Sequence, residues 1–143
     1  MATRTGSAEW RGDLREGAGE VTVGEGVFTG SYSYRSRFED GPGTNPEELI
    51  AASHSACFSM ALANSLAEAG SPATSVRTTA AVHLRSVDGV PTIARIDLKT
   101  VGEVPGLDEA AFKAQAEAAK AQCPVSRALA GVPEMTLEAS LAS

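Results

Sequence analysis

Hydrophobic residues follow two rhythms along the 143-residue chain. In the first third they alternate with polar ones: Ala8, Trp10 and Leu14, then Val21 and Val23, then Phe28, Tyr32 and Tyr34. Period-two alternation marks half-buried strands, and the glycine-rich stretches at Gly17/Gly19 and Gly24/Gly26 supply turns. Three short antiparallel strands are expected. A loop follows, Gly41-Pro42-Gly43-Thr44-Asn45-Pro46. Asn45 is a good N-cap, Pro46 suits the first helical position, and Glu47 and Glu48 complement the helix dipole. This helix is expected to run to about Ala69 and stop at Gly70, with Pro72 beyond. No charge falls between Glu48 and Glu68, so no face is clearly solvated. A helix of that kind is a buried, central one.

Alternation returns at Val76, Thr78, Ala80, Val82 and Leu84, and Asp88-Gly89 is a strong hairpin-turn signal. The return strand carries Ile96 and Leu98 and ends by Pro105-Gly106. Asp108 can cap a second helix, about 109 to 121. Cys123-Pro124 breaks that helix and opens a short third one reaching Leu129 and ending at Gly131, before a last strand, about 135 to 141. The order β-β-β-α-β-β-α-α-β predicts an α+β fold, antiparallel sheets packed around a long buried central helix. Without an internal repeat or a long linker, residues 1–143 read as a single domain. One thin sheet can cover only one side of such a helix, so an intertwined homodimer is expected.

The net charge of −6, with 12 basic residues scattered among 18 acidic ones, argues against a nucleic-acid partner. Met1 to Trp10 contains no apolar run, so no signal peptide is expected. The longest uncharged stretch, 19 residues from Leu49 to Ala67, contains Ser53, His54, Ser55, Ser59, Asn64 and Ser65. That is too polar for a membrane span, and the expected compartment is the cytoplasm. There a permanent disulfide is rare, and cysteine pairs tend to bind metal or do redox chemistry.

The chain has two cysteines, Cys57 in the middle of the long helix and Cys123, 66 residues later, at a helix start. Three roles are open to them. Both can be core residues, since free cysteine is among the most buried types. With His54, three residues before Cys57, they can form a metal site, although closely spaced cysteine pairs are missing. Or one thiol attacks and the other resolves. A reactive thiol must ionise, and burial in an apolar helix opposes ionisation. No Lys or Arg lies within the long helix, so a cation for Cys57 must come from elsewhere. Local electrostatics favour Cys123 instead, because backbone N–H groups at a helix N-terminus stabilise an anion.

The segments Ser36-Arg37-Phe38-Glu39, Gly43-Thr44-Asn45-Pro46-Glu47-Glu48-Leu49-Ile50, Ala56-Cys57-Phe58-Ser59-Met60-Ala61-Leu62 and Cys123-Pro124-Val125-Ser126 resemble the OsmC/Ohr family. The resemblance extends from Trp10 to the final strand. Arg-Phe-Glu just before Gly-Thr-Asn-Pro-Glu-Glu-Leu-Ile looks like the OsmC branch. The resemblance implies a thiol-dependent peroxidase that prefers organic hydroperoxides over hydrogen peroxide and serves in oxidative and osmotic stress defence. It also implies an intertwined homodimer, Cys57 as the peroxidatic residue, Cys123 as the resolving one, and Arg37 and Glu47 completing the site. Arg37 would then be the missing cation, oriented by a bidentate pair with Glu47. Cys57 would pass through a sulfenic acid to a Cys57–Cys123 disulfide. A dithiol, of lipoyl type in the family, would reduce it; no cofactor or metal is expected.

Glu47 and Cys57 are ten residues apart, about 15 Å along a straight helix. Either the helix bends or starts later, or the arginine and glutamate arrive from the partner subunit, and the partner subunit is preferred. His54 is either a base for Cys57 or a hydrogen-bonded core residue, and the second is preferred. His83 reads as a surface residue beside Arg77 and Arg85, Trp10 as a core or interface anchor, and Phe38, Phe58 and Met60 as pocket or core residues. Ser126 reads as a cap for the short helix and is assigned no chemistry. The rival to an enzyme is a redox-responsive stress or binding protein whose disulfide changes its shape without efficient turnover.

Overall fold

Strands β1 (Gly6–Arg11), β2 (Ala18–Val23) and β3 (Phe28–Tyr32) form the expected antiparallel meander. The structure, a computed structural model, describes residues 2–143, which form two compact units, one up to Leu49 and one from Ile50 to Ser143. In the first unit the register sets Gly19 between Trp10 and Tyr32, whose rings lie 5.3 Å apart. A Cβ at position 19 would collide with both rings. Glycine on the middle strand is what lets the two aromatics meet.

Two strand expectations shift. Leu14 lies in the turn after β1 and is 59% exposed. Tyr34 does not extend β3 but opens a short helix, α1 (Tyr34–Phe38). Ser33 caps it through a reciprocal capping box with Ser36. Five residues are too few for a helical period to show against the strand parity that precedes them.

Helix α2 (Pro46–Glu68) begins as expected, with Asn45 Oδ1 accepting from the Glu48 N–H at 2.8 Å. Gly70, with φ +86°, lies just past its end. His54, Phe58, Leu62 and Leu66 recur every four residues and are fully buried. That spacing stacks side chains on one helix face. Ala52, Ala56, Met60 and Asn64 on the far side are exposed, Met60 by 74%. A single chain therefore covers α2 along one stripe. By length and composition α2 could also cross a membrane. Its buried stripe packs into the core of the unit from Ile50 to Ser143.

Strands β4 (Ser75–Val87) and β5 (Val90–Glu103) form the long hairpin. Asp88 and Gly89 have φ values of 52° and 79°, the two left-handed positions of a tight hairpin turn. Helices α3 (Glu109–Gln122) and α4 (Pro124–Ala128) then return the chain to β6 (Glu134–Leu141). Strand β6 pairs parallel to β5. A parallel neighbour needs a long crossover, which the two helices supply. Phe58, Leu62, Leu98 and Phe112 centre the core of this unit. The Phe112 ring sits directly over Gly102 of β5, where a Cβ would collide with it.

His83 is not a free surface histidine. A bulge at His83/Leu84 interrupts the register, and His83 Nε2 lies 2.8 Å from Asp97 Oδ2. Arg95 Nε at 2.7 Å and Thr136 Oγ1 at 2.6 Å donate to the other Asp97 oxygen. Asp97 therefore ties together three adjacent strands.

Candidate active site

The unit from Ile50 to Ser143 brings the two cysteines together. Cys57 sits one residue before Phe58, on the flank of the buried α2 stripe, and packs against the core cluster that contains Cys123. Cys123 is at once the last cap of α3 and the first of α4. Both thiols are free, and each is close enough to the other to influence its acidity. Cys57 is half-buried, whereas Cys123 has no exposed surface.

Their acidities diverge. Burial pushes the Cys57 thiol up, and the neighbouring Cys123 sulfur pushes it further, against one opposing donor, the Val125 amide. Burial also opposes ionisation of Cys123. There it is outweighed by the Ser126 amide, the Cys57 thiol, the Ser126 hydroxyl and the Val125 amide, which together hold Cys123 below the usual thiol range. The amides are those at the start of α4, which converge on an anion placed at its cap. The expectation that helix-end electrostatics favour Cys123 is met. Access points the other way, because a peroxide can reach Cys57 but not Cys123.

The unit up to Leu49 brings Arg37 and Glu47 together. Arg37 Nε donates to both Glu47 carboxylate oxygens at 3.2 Å, and its terminal nitrogen donates to Oε1 at 2.7 Å. Glu47 is 8% exposed, while the Arg37 side chain keeps 34% of its surface open. A latch of buried polar side chains fixes the pair. Ser36 Oγ donates to the Thr44 carbonyl at 2.7 Å, and Asn45 Nδ2 to the Ser36 carbonyl at 2.9 Å. The segment carrying Arg37 is thus pinned to the start of the helix carrying Glu47. Ser36, Asn45 and Glu47 are the buried polar residues of this unit. The guanidinium lies 5.4 Å from the Phe38 ring centre, and Phe38 is 40% exposed.

One pair was not anticipated as a pair. His54 Nε2 lies 2.7 Å from Ser126 Oγ, joining α2 to α4 beside the two cysteines. Burial lowers the His54 pKa and keeps the ring neutral. The sequence signal was present, His54 three residues before Cys57 and Ser126 three after Cys123. No local spacing, however, links the two motifs across 72 residues. Among the described residues, no group of three or more His, Cys, Asp or Glu side chains is arranged to hold a metal ion.

Residues 39–138 match the OsmC-like protein family. Over 141 residues the chain is 47% identical to Peroxiredoxin OsmC of Escherichia coli (strain K12), covering 98% of this chain and 97% of that one. An organic hydroperoxide resistance protein from Elizabethkingia anophelis shares the fold with a TM-score of 0.74 at 26% identity, covering 99% of each chain. The corresponding protein from Legionella pneumophila, described as an organic hydroperoxide resistance protein OsmC, has a TM-score of 0.71 at 25% identity over 100% of both chains.

Proposed function

The chain belongs to the OsmC-like protein family and is a peroxidase, and we propose that it reduces organic hydroperoxides to alcohols through Cys57 and Cys123. The observation that carries this reading is a reachable thiol, Cys57, packed against the core cluster that holds a fully buried one, Cys123. Access and acidity favour different sulfurs as the attacker. Access decides, because attack on an O–O bond requires contact with it.

The Cys57 thiolate attacks the peroxide, the O–O bond breaks, and a sulfenic acid and an alkoxide result. The alkoxide takes a proton from water and leaves as the alcohol. Cys123 then displaces hydroxide from the sulfenic sulfur, forming a Cys57–Cys123 disulfide and, with a proton, water. A lipoyl-type dithiol returns both cysteines to thiols by exchange.

Burial alone leaves Cys57 a poor nucleophile, so a cation must assist it. Arg37, held by Glu47, is that cation. It stabilises the thiolate and the negative charge developing on the leaving oxygen. Ten residues of helix rise about 15 Å, too far for Glu47 to touch Cys57 along α2. The site is therefore completed across a homodimer, in which Arg37 of the partner subunit serves Cys57. Exposed Met60, Val27 and Phe28 are apolar surface that such an intertwined dimer would cover. The whole chain serves as one OsmC-like domain, in the cytoplasm, in defence against oxidative and osmotic stress.

The direct test is turnover of cumene hydroperoxide with an excess of dithiol. Activity should vanish in Cys57→Ser. Normal consumption by that variant would sink the mechanism.

A further inference from the structure

The five residues of α4 have little to hold them in place. A helix this short has no stability of its own. Pro124 at its start lacks an N–H, and the cap residue Cys123 makes no side-chain capping bond. Val125 gives it one apolar contact with the core. Among the described residues, a single side-chain hydrogen bond ties α4 to another element, between Ser126 Oγ and His54 Nε2 of α2 at 2.7 Å. That bond is sealed from solvent, since Ser126 is 6% exposed and His54 has no exposed surface. The histidine is a costly choice for its position. It continues the Phe58, Leu62 and Leu66 stripe, where an aliphatic side chain would pack, and it buries Nδ1 without a partner. A buried polar atom left unbonded destabilises a fold, so packing alone does not explain the residue. Its location does. His54 lies three residues before Cys57 on α2, and Ser126 lies three residues after Cys123, in the first turn of α4. Residues three apart are neighbours on a helix surface. The bond therefore joins the two thiol-bearing segments one turn away from each sulfur.

We propose that the His54–Ser126 hydrogen bond is a clamp that holds α4 against α2, making both residues positioning residues that keep Cys123 in place for closure of the disulfide with Cys57. The role rests on the peroxidatic assignment of Cys57 made above. In the step it serves, the Cys123 sulfur attacks the sulfenic sulfur. The S–S bond forms as the S–O bond breaks, and the hydroxide leaves as water with the proton of the Cys123 thiol. The sulfenic sulfur is reduced and the Cys123 sulfur oxidised, so no further reactant is needed. The clamp acts through geometry and not through the acidity of either sulfur. Without it α4 spends part of its time displaced, and closure waits for its return. The slowing is then bounded by the weight of one hydrogen bond between neutral groups, about three- to tenfold. It is also the same factor at every pH.

The test uses the full-length protein in single turnover with one equivalent of cumene hydroperoxide. Sulfenic acid at Cys57 is trapped with dimedone, disulfide closure is followed by quench and mass spectrometry across a range of pH, and thermal unfolding shows which variants are folded. His54→Leu suits the apolar stripe but cannot form the bond, and Ser126→Ala removes its other half. Each should slow closure about three- to tenfold. The double variant should be no slower than the worse of the two, because one bond can be lost only once. His54→Gln, whose amide reaches near the position of Nε2, and Ser126→Thr, which keeps the hydroxyl, should restore most of the rate. Should His54→Leu fail to fold, the two serine variants decide alone. Closure within twofold of the parent rate in Ser126→Ala overturns the proposal. So does a double variant slowed by the product of the single effects, a slowing that changes with pH, or equal slowing in the bond-keeping and bond-lacking variants. Absence of sulfenic acid at Cys57 in the unmodified protein overturns the peroxidatic assignment instead, and the clamp's role falls with it.

Discussion

Glu47→Gln perturbs the candidate site at one pair of atoms. The carboxylate accepts three contacts from Arg37, two of 3.2 Å from Nε and one of 2.7 Å from a terminal nitrogen. An amide keeps one acceptor oxygen and presents an NH2 group where the second oxygen stood. That donor faces the arginine's own donors, so the two-point clamp becomes at best a single neutral bond. A hydrogen bond to a charged group contributes about 1.5–3 kcal/mol. The Arg37 side chain is 34% exposed and can recover some bonding from water, which favours the lower part of that range. If orientation of the guanidinium matters only in the transition state, about 1.5–2 kcal/mol corresponds to a loss of about 10- to 30-fold in kcat/KM. Arg37→Lys should lose a similar factor, because a lysine keeps the charge but not the fork. The assay is steady-state consumption of cumene hydroperoxide with saturating dithiol, alongside thermal unfolding to show that the variants are folded. A folded Glu47→Gln within twofold of the parent kcat/KM would refute the role given to the pair.

In a purified heterodimer of one Cys57→Ser chain and one Arg37→Ala chain, a site shared between subunits should keep about half the parent activity, since one of its two sites retains both native residues; a site built within one chain leaves almost none. Leu62→Ala, at a fully buried position in the α2 stripe, should cost about 2–5 kcal/mol in denaturant unfolding, and a change within about 0.5 kcal/mol would contradict the packing described. Gly102→Ala forces a Cβ into the buried Phe112 ring and should destabilise by about 1–3 kcal/mol, relieved in part by a second change, Phe112→Leu. The Thr136 hydroxyl first, then Arg95, hold the Asp97 carboxyl at about 2, below its ordinary 3.8. The group is depressed in the folded state, so its stabilisation is present above the ordinary value and disappears as pH falls through the folded one. Asp97→Asn should therefore lower Tm at neutral pH by an amount that shrinks between pH 3.8 and about 2, and a constant difference across that range would contradict the assignment.

Much of this architecture is legible in the sequence where a local rule acts. The Asn45-Pro46 start of α2, the Asp88-Gly89 turn and the Asp108 cap are each set by atoms a few residues apart. What escapes are features decided by distant partners. Alternation announces β6 but carries no direction, and its parallel pairing follows from the α3–α4 crossover. Strand parity hides α1 because Tyr34 happens to fall in phase with Tyr32. The His54 spacing places the ring on the buried stripe, but nothing local says that Ser126 meets it. Arg37 and Glu47 enter through their motifs. The latch through Ser36, Thr44 and Asn45 depends on a loop whose path no periodicity encodes.

The opposed acidities of the two thiols become intelligible as a sequence of states rather than a conflict. In the reduced protein the more acidic sulfur, Cys123, is fully buried, and the reachable one, Cys57, holds its proton more tightly. Adventitious oxidants therefore meet a thiol that is slow to react unless a cation is brought to it. In the proposed mechanism, once Cys57 has become a sulfenic acid, the same electrostatics act in the opposite sense. Cys123, the more acidic of the two, is then the sulfur proposed to attack it. The amides of α4 that weaken the case for the first step thus strengthen the second. In the proposed mechanism the burden of activating Cys57 falls on a group outside the thiol pair, so the aim of the Arg37 guanidinium, and not its charge alone, should set the rate.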